Sequence, residues 1–207
     1  MTPFLRNQWY TAATSTELGA KPLARTICNE PLVIFRGEDG TAAVLTDRCP
    51  HRKAPLSSGE VIGSDIQCGY HGIRFAASGA CTHVPGNVPV GRDFRARCFP
   101  AREVHGLIFV WLGEASLADP ALIPDFGENV KPGWTGVYGM LYVKANYQLL
   151  IDSDPAGTPL VSLAFDRAGL AARRIIKRKL EAEAQAAALA VRPSPQRAPV
   201  RGADATA

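Results

Sequence analysis

"RCPHRKAPLSSGEVIGSDIQCGYHG", residues 48–72, sets a Cys-x-His pair and a Cys-x-x-His pair within one short stretch. Cys49 and His51 stand two positions apart, so in extended backbone both side chains leave the same face, and Pro50 restricts the chain between them. Cys68 and His71 flank Gly69-Tyr70, a spacing suited to a tight turn, with Gly69 and Gly72 open to unusual dihedrals. Sixteen residues separate His51 from Cys68, enough for one strand or hairpin that brings the second loop back to the first. The stretch therefore predicts a metal site on two loops of a β domain.

Two thiolates and two imidazoles suit two fillings. One is a tetrahedral Cys2His2 zinc. The other is a [2Fe–2S] cluster of the Rieske kind, with both Cys on one iron and both His on the other. Zinc sites of this composition usually pair Cys with Cys and His with His along the chain. Here each loop offers one of each, which favours the cluster and leaves zinc as the alternative.

Working outward, short strand signals surround the two loops. "PLVIFRG", "EDGT" with its Asp39-Gly40 turn, and "AAVLTDR" predict a hairpin before them. "GLIFVWLG" after them is too short for a typical helix and rich in β-branched and aromatic residues. The expected fold class is mainly β: an antiparallel β domain over residues 1–115, with Phe109 and Trp111 in a core strand. Residues 116–135 read as a linker across a surface, and 136–159 as the strand-like start of a second domain. Residues 160–192 lack proline and predict a basic helix, and 193–207 read as a disordered tail. A short α+β remnant and a C-terminal helix thus follow the β domain.

Charge and cysteine usage exclude some classes. Residues 1–159 hold 14 Lys/Arg against 15 Asp/Glu, whereas 160–207 hold 9 against 4. The body is near neutral, so nucleic acid is not expected as a partner. No run of 18 apolar residues occurs and the N-terminus lacks a signal-type core, so no membrane span is expected and the reading is cytoplasmic. Five cysteines in a reducing compartment favour metal ligands plus bystanders, and Cys28, Cys81 and Cys98 are expected to be buried small hydrophobes. His83 and His105, beside turn residues, are expected to be exposed loop histidines. Arg52 and Lys53 flank the first loop, where they either tune the site, dock an acidic electron donor or simply face solvent.

The stretch "CPHRKAPLSSGEVIGSDIQCGYHGIRFAASGACTHVPG", with "FLRNQWYTAATSTELGAKPLARTICNEPLVIFRGEDGTAAVLTDRCPHR" before it, resembles the Rieske non-haem iron oxygenases. It is most similar to the oxygenase components of vanillate O-demethylase and toluenesulfonate methyl-monooxygenase systems, from about residue 4 to residue 152. The resemblance implies one [2Fe–2S] cluster on Cys49, His51, Cys68 and His71, and a reductase as electron donor. It also implies a separate mononuclear iron on a 2-His-1-carboxylate triad, whose histidines follow an "N-x-x-L-x-x-D" lead-in. Asn146, Leu149 and Asp152 supply that lead-in, but "SDPAGTPLVSLAF" stands where the histidines belong. The four histidines are His51, His71, His83 and His105, none later. No catalytic residue is therefore assigned, no mononuclear iron is expected, and enzyme status stays open. The chain reads as a family member lacking most of the catalytic domain. Three functions follow: an electron relay, a terminal oxygenase component that borrows its iron site from a full-length partner subunit, and a non-catalytic zinc module. The relay is favoured.

Overall fold

Three antiparallel sheets account for the regular structure of this computed structural model, which describes residues 4–134 together with 181, 182 and 185. The first sheet has the order β1(Gln8–Thr14), β11(Leu107–Leu112), β10(Ala101–Val104). The second runs β2(Leu23–Ile27), β3(Glu30–Arg36), β4(Ala42–Thr46), β9(Cys98–Phe99). The third runs β5(Glu60–Ile62), β6(Asp65–Gln67), β7(Arg74–Phe75), β8(Cys81–His83). The mainly β fold class expected from the sequence is present. Strands β3 and β11 are central in their sheets. Leu32, Val33, Ile34 and Phe35 on the one, and Ile108, Phe109, Val110, Trp111 and Leu112 on the other, are buried, which explains their unbroken apolar runs.

The hairpin expected at Asp39-Gly40 joins β3 to β4, with Leu32 opposite Thr46 and Arg36 opposite Ala42. Two further hairpins carry no Asn-Gly or Asp-Gly signal. Cys28 (φ 51°) and Asn29 (φ 62°) form the two-residue loop between β2 and β3. His105 (φ 52°) and Gly106 (φ 79°) form the one between β10 and β11. Paired left-handed residues match the twist of the flanking strands, so tight pairing selects them even with Cys or His in the first place.

Strands β4 and β9 are neighbours in the second sheet, yet the whole third sheet lies between them in the chain. Residues 47–97 are thus an insertion, tied at its base where the Thr46 N–H donates to the Arg97 carbonyl (2.8 Å). Its sheet alternates as half-buried strands must: Ile66 and Phe75 point into the core, while Glu60, Gln67 and Arg74 form a hydrogen-bonded ladder on the other face.

Residues 114–134 hold only short 3-10 turns, at Ala115–Leu117, Pro120–Leu122 and Gly127–Val130. The Trp9 indole donates to the Asp119 carbonyl (2.8 Å), the Trp111 indole to the Glu114 carbonyl (2.8 Å), and Phe126 stacks on Phe109. The stretch is therefore fastened to the first sheet. The described residues 6–134 belong to one compact unit. The strand expected at 136–152, the Asn146–Asp152 lead-in and the tail lie outside the described residues. Of the helix expected over 160–192, only 181, 182 and 185 are described, and they are helical.

Candidate metal centre

The two loops are built alike. In the first, the Cys49 N–H donates to the Ala54 carbonyl (2.8 Å) and the Lys53 N–H to the Cys49 carbonyl (2.8 Å). In the second, the Cys68 N–H donates to the Ile73 carbonyl (2.8 Å) and the Gly72 N–H to the Cys68 carbonyl (3.0 Å). Counting from each Cys, the partners occupy the same relative positions, and the fifth residue is left-handed in both: Lys53 (φ 61°) and Gly72 (φ 71°). Glycine suits that dihedral in the second loop, whereas in the first a lysine is held there by the two hydrogen bonds around it.

The loops meet because the backbone between them is stripped bare. A Cβ on Gly59 would lie 1.8 Å from the Gln67 carbonyl oxygen, and one on Gly69 would lie 2.9 Å from the Ser58 carbonyl oxygen. The sequence singles out Gly69 for its freedom of dihedral and Gly59 only as a break between elements; the close approach of a carbonyl to each is a tertiary contact. Asp47 anchors the root of the first loop, its carboxylate accepting from the Ser57 N–H (2.7 Å) and hydroxyl (2.6 Å). One hairpin, β5 to β6, spans the interval between the loops, as the spacing required.

Like side chains face like. Cys49 and Cys68 are each 2% exposed and belong to the core cluster with Leu56, Ile66, Ile73 and Phe75. A hydrogen bond joins their two thiols. His51 and His71 are exposed at the tip, with ring centroids 4.9 Å apart. Burial pushes the Cys49 thiol up, as does the neighbouring Cys68, while the N–H groups of His51 and Arg52 donate to its sulfur and pull the other way. These donors at Cys49 come from its own loop. A proton must therefore leave when a metal takes this thiolate.

Among the described residues, no three His, Cys, Asp or Glu side chains converge on one point as ligands of a single metal ion. The donors form two pairs instead, an inner sulfur pair and an outer nitrogen pair, which suits two metals with two protein ligands each better than one tetrahedral ion.

The remaining candidates stand apart. Cys28 is buried, but Cys81 is half-buried and Cys98 exposed, a correction to the expectation for both. Strand alternation explains Cys98, since on β9 it is Phe99 that points inward. His83 is exposed at the end of β8. His105 is not the exposed loop residue expected: it is half-buried, and its Nδ1 accepts from the Phe126 N–H (3.2 Å). Sequence reading also missed Pro85, whose ring lies 3.4 Å from where a Gly72 Cβ would be. The Pro85-Gly86 dipeptide was its only signal.

Residues 8–100 match the family described as the Rieske [2Fe-2S] domain. That stretch is a Rieske domain, and the chain around it is similar to Rieske oxygenase components. It is 47% identical over 151 residues to the oxygenase component of dicamba O-demethylase from Stenotrophomonas maltophilia, covering 72% of this chain and 44% of that protein. It is 40% identical over 150 residues to the vanillate O-demethylase oxygenase subunit of Pseudomonas sp. strain HR199, covering 72% and 42%. The crystal structure of dicamba monooxygenase bound to dicamba superposes with a TM-score of 0.71 at 47% identity, covering 73% of this chain and 46% of that one. The chain thus spans less than half the length of these relatives. Among the described residues no helix is long and apolar enough to cross a membrane.

Proposed function

We propose that this chain is the electron relay of an aromatic O-demethylase or methyl-monooxygenase type system, with one [2Fe–2S] cluster held by Cys49, His51, Cys68 and His71. The observation that carries the reading is the paired geometry: two touching thiols sealed in the core, and two imidazoles side by side at the surface. Such a cluster accepts and releases one electron at a time. The chain's own residues do the rest. Leu56, Ile66, Ile73 and Phe75 exclude water from the sulfur side, the His51 and Arg52 amides donate to sulfur, and the exposed rings leave the nitrogen side open to a partner. A reductase would supply the electrons.

The relay is proposed without an oxygen-activating iron of its own, because all four histidines lie at or before residue 105, and two of them are assigned to the cluster. Of the other two, His105 is engaged by the Phe126 backbone and His83 stands alone at a strand end. A full-length oxygenase subunit would be the recipient of the electron.

The test is the iron, acid-labile sulfide and zinc content of the full chain purified anaerobically. About two irons and two sulfides per chain, with visible absorbance, are expected. A third iron would overturn the relay-only reading, and a colourless chain with one zinc would overturn the cluster.

A further inference from the structure

We propose that His105 is a pH-dependent clasp, holding the strap 114–134 to the first sheet through the Phe126 backbone when neutral and through the Asp125 side chain when protonated. The clasp stands apart from the two cysteine–histidine loops and works whatever they hold. His105 has the first place in the two-residue turn between β10 and β11, with φ 52°. That turn is pinned from outside, where the Ser15 N–H donates to the Gly106 carbonyl (2.9 Å). The imidazole is thereby aimed at one place on the strap. Its Nδ1 accepts from the Phe126 N–H at 3.2 Å, and the same nitrogen stands 3.7 Å from Asp125 Oδ1. A Cβ on Gly127 would stand 3.8 Å from His105 Nε2, so the ring lies against strap backbone.

The two partners exclude each other because Nδ1 has one lone pair. It accepts from Phe126 only while it carries no proton, which makes the neutral ring the Nε2–H tautomer. A proton taken from solvent onto Nδ1 turns the acceptor into a donor. Two N–H groups then oppose each other, while the neighbouring carboxylate becomes a charge-assisted acceptor. Protonation therefore releases the Phe126 backbone and passes the grip to Asp125. The second grip is the looser one. The Asp125 side chain is 88% exposed, and its Oδ1 already accepts from the Gly127 N–H (2.8 Å) where the turn Gly127–Val130 begins. Phe126, by contrast, stacks on Phe109, which is buried in β11. Acid thus loosens the strap at a point where its backbone and its aromatic ring are both held.

The other charged groups on the surrounding elements are engaged elsewhere or belong to the strap. Glu103 on β10 pairs with Arg36, Glu17 beyond β1 pairs with Arg25, and Arg102 donates to the Ala101 carbonyl (2.9 Å). Strands β1 and β11 carry no charged residue. On the strap, the Glu114 carboxylate accepts from the Ser116 hydroxyl and that of Asp119 from the Ala121 N–H, with Glu128 and Lys131 further along the chain.

The experiment follows the Phe126 amide and the His105 ring nitrogens by NMR in the full oxidised chain, isotope-labelled at Phe and His, from about pH 8 to about pH 5. At the alkaline end His105 should be the Nε2–H tautomer and the Phe126 amide protected from exchange. As the ring takes up its proton, the Phe126 protection factor should fall about tenfold with the same midpoint. Asp125→Asn keeps an oxygen for the Gly127 N–H but removes the charge, and should move that midpoint to lower pH. His105→Asn, a residue that tolerates the left-handed turn, should leave Phe126 poorly protected with no step across the range. His83, exposed on β8, is the internal control, and its titration should not register at Phe126. If His105→Asn fails to fold, the wild-type tautomer and the exposed Asp125→Asn decide the matter. An Nδ1–H tautomer in alkali overturns the proposal, as does a Phe126 amide that ignores the His105 titration. A midpoint unmoved in Asp125→Asn, or a step that survives in His105→Asn, overturns it equally.

Discussion

Gly59 shows how much one residue decides here. Its Cα passes so close to the Gln67 carbonyl that no side chain fits, and the obstacle is backbone, which cannot rotate away. Gly59→Ala is expected to destabilise the fold by about 1–3 kcal/mol or more and to lower cluster content, because the loops can no longer close on each other. Gly91→Ala is the control, since nothing lies within 4 Å of its added carbon. Thermal melting and iron content of the two variants check this. Cys49→Ser and Cys68→Ser are expected to abolish the visible absorbance, since a hydroxyl is a poor substitute for a thiolate on iron. Asp47→Ala leaves the Ser57 amide and hydroxyl without their acceptor at the foot of the first loop. A loss of about 1–3 kcal/mol in denaturant unfolding is expected.

Between elements, the ion pair of Arg36 at the end of β3 with Glu103 on β10 clips the second sheet to the first. The Arg36 guanidinium holds the Glu103 carboxyl below the usual carboxylate range. A depressed carboxyl contributes stability above its unfolded pKa, and that contribution is lost as pH falls through the lower folded value. Stability should therefore decline in acid below about pH 4.5, and Glu103→Gln should flatten that limb while costing about 1 kcal/mol or less near neutrality, since both partners are partly solvated. Urea titrations at stepped pH measure both. The strands were largely legible from their apolar runs, as at Leu32–Phe35 and Leu107–Leu112. The Cys28-Asn29 and His105-Gly106 turns were not, because their left-handed dihedrals are imposed by the strands they join rather than chosen by the residues.

For the molecule as a whole, the arrangement is an insertion carried on a scaffold. Strands β4 and β9 pair with each other and emit residues 47–97, so both loops lie in a segment whose two ends are held together in the second sheet. Leu56, fully buried beneath both cysteines, joins the insertion's core to Val33 and Phe35 of the scaffold. Leu56→Ala is expected to cost about 2–5 kcal/mol, and the cluster chromophore should bleach in the same unfolding transition as the far-ultraviolet signal. Two separate transitions would show that the insertion unfolds independently.

The residue types and spacing of Cys49, His51, Cys68 and His71 determined by themselves that four donors lie on two loops, because ligand chemistry is written in side chains. The period and composition of the strands determined the β class for the same local reason. Only the tertiary structure decided that thiol faces thiol inside and imidazole faces imidazole outside, and that the two loops share one hydrogen-bond frame. It also decided that Cys98 faces solvent while Cys28 does not, and that the exposed Tyr70 ring lies tilted against His71. Those outcomes depend on contacts between segments far apart in the chain, where burial and register are settled by what arrives on the other side.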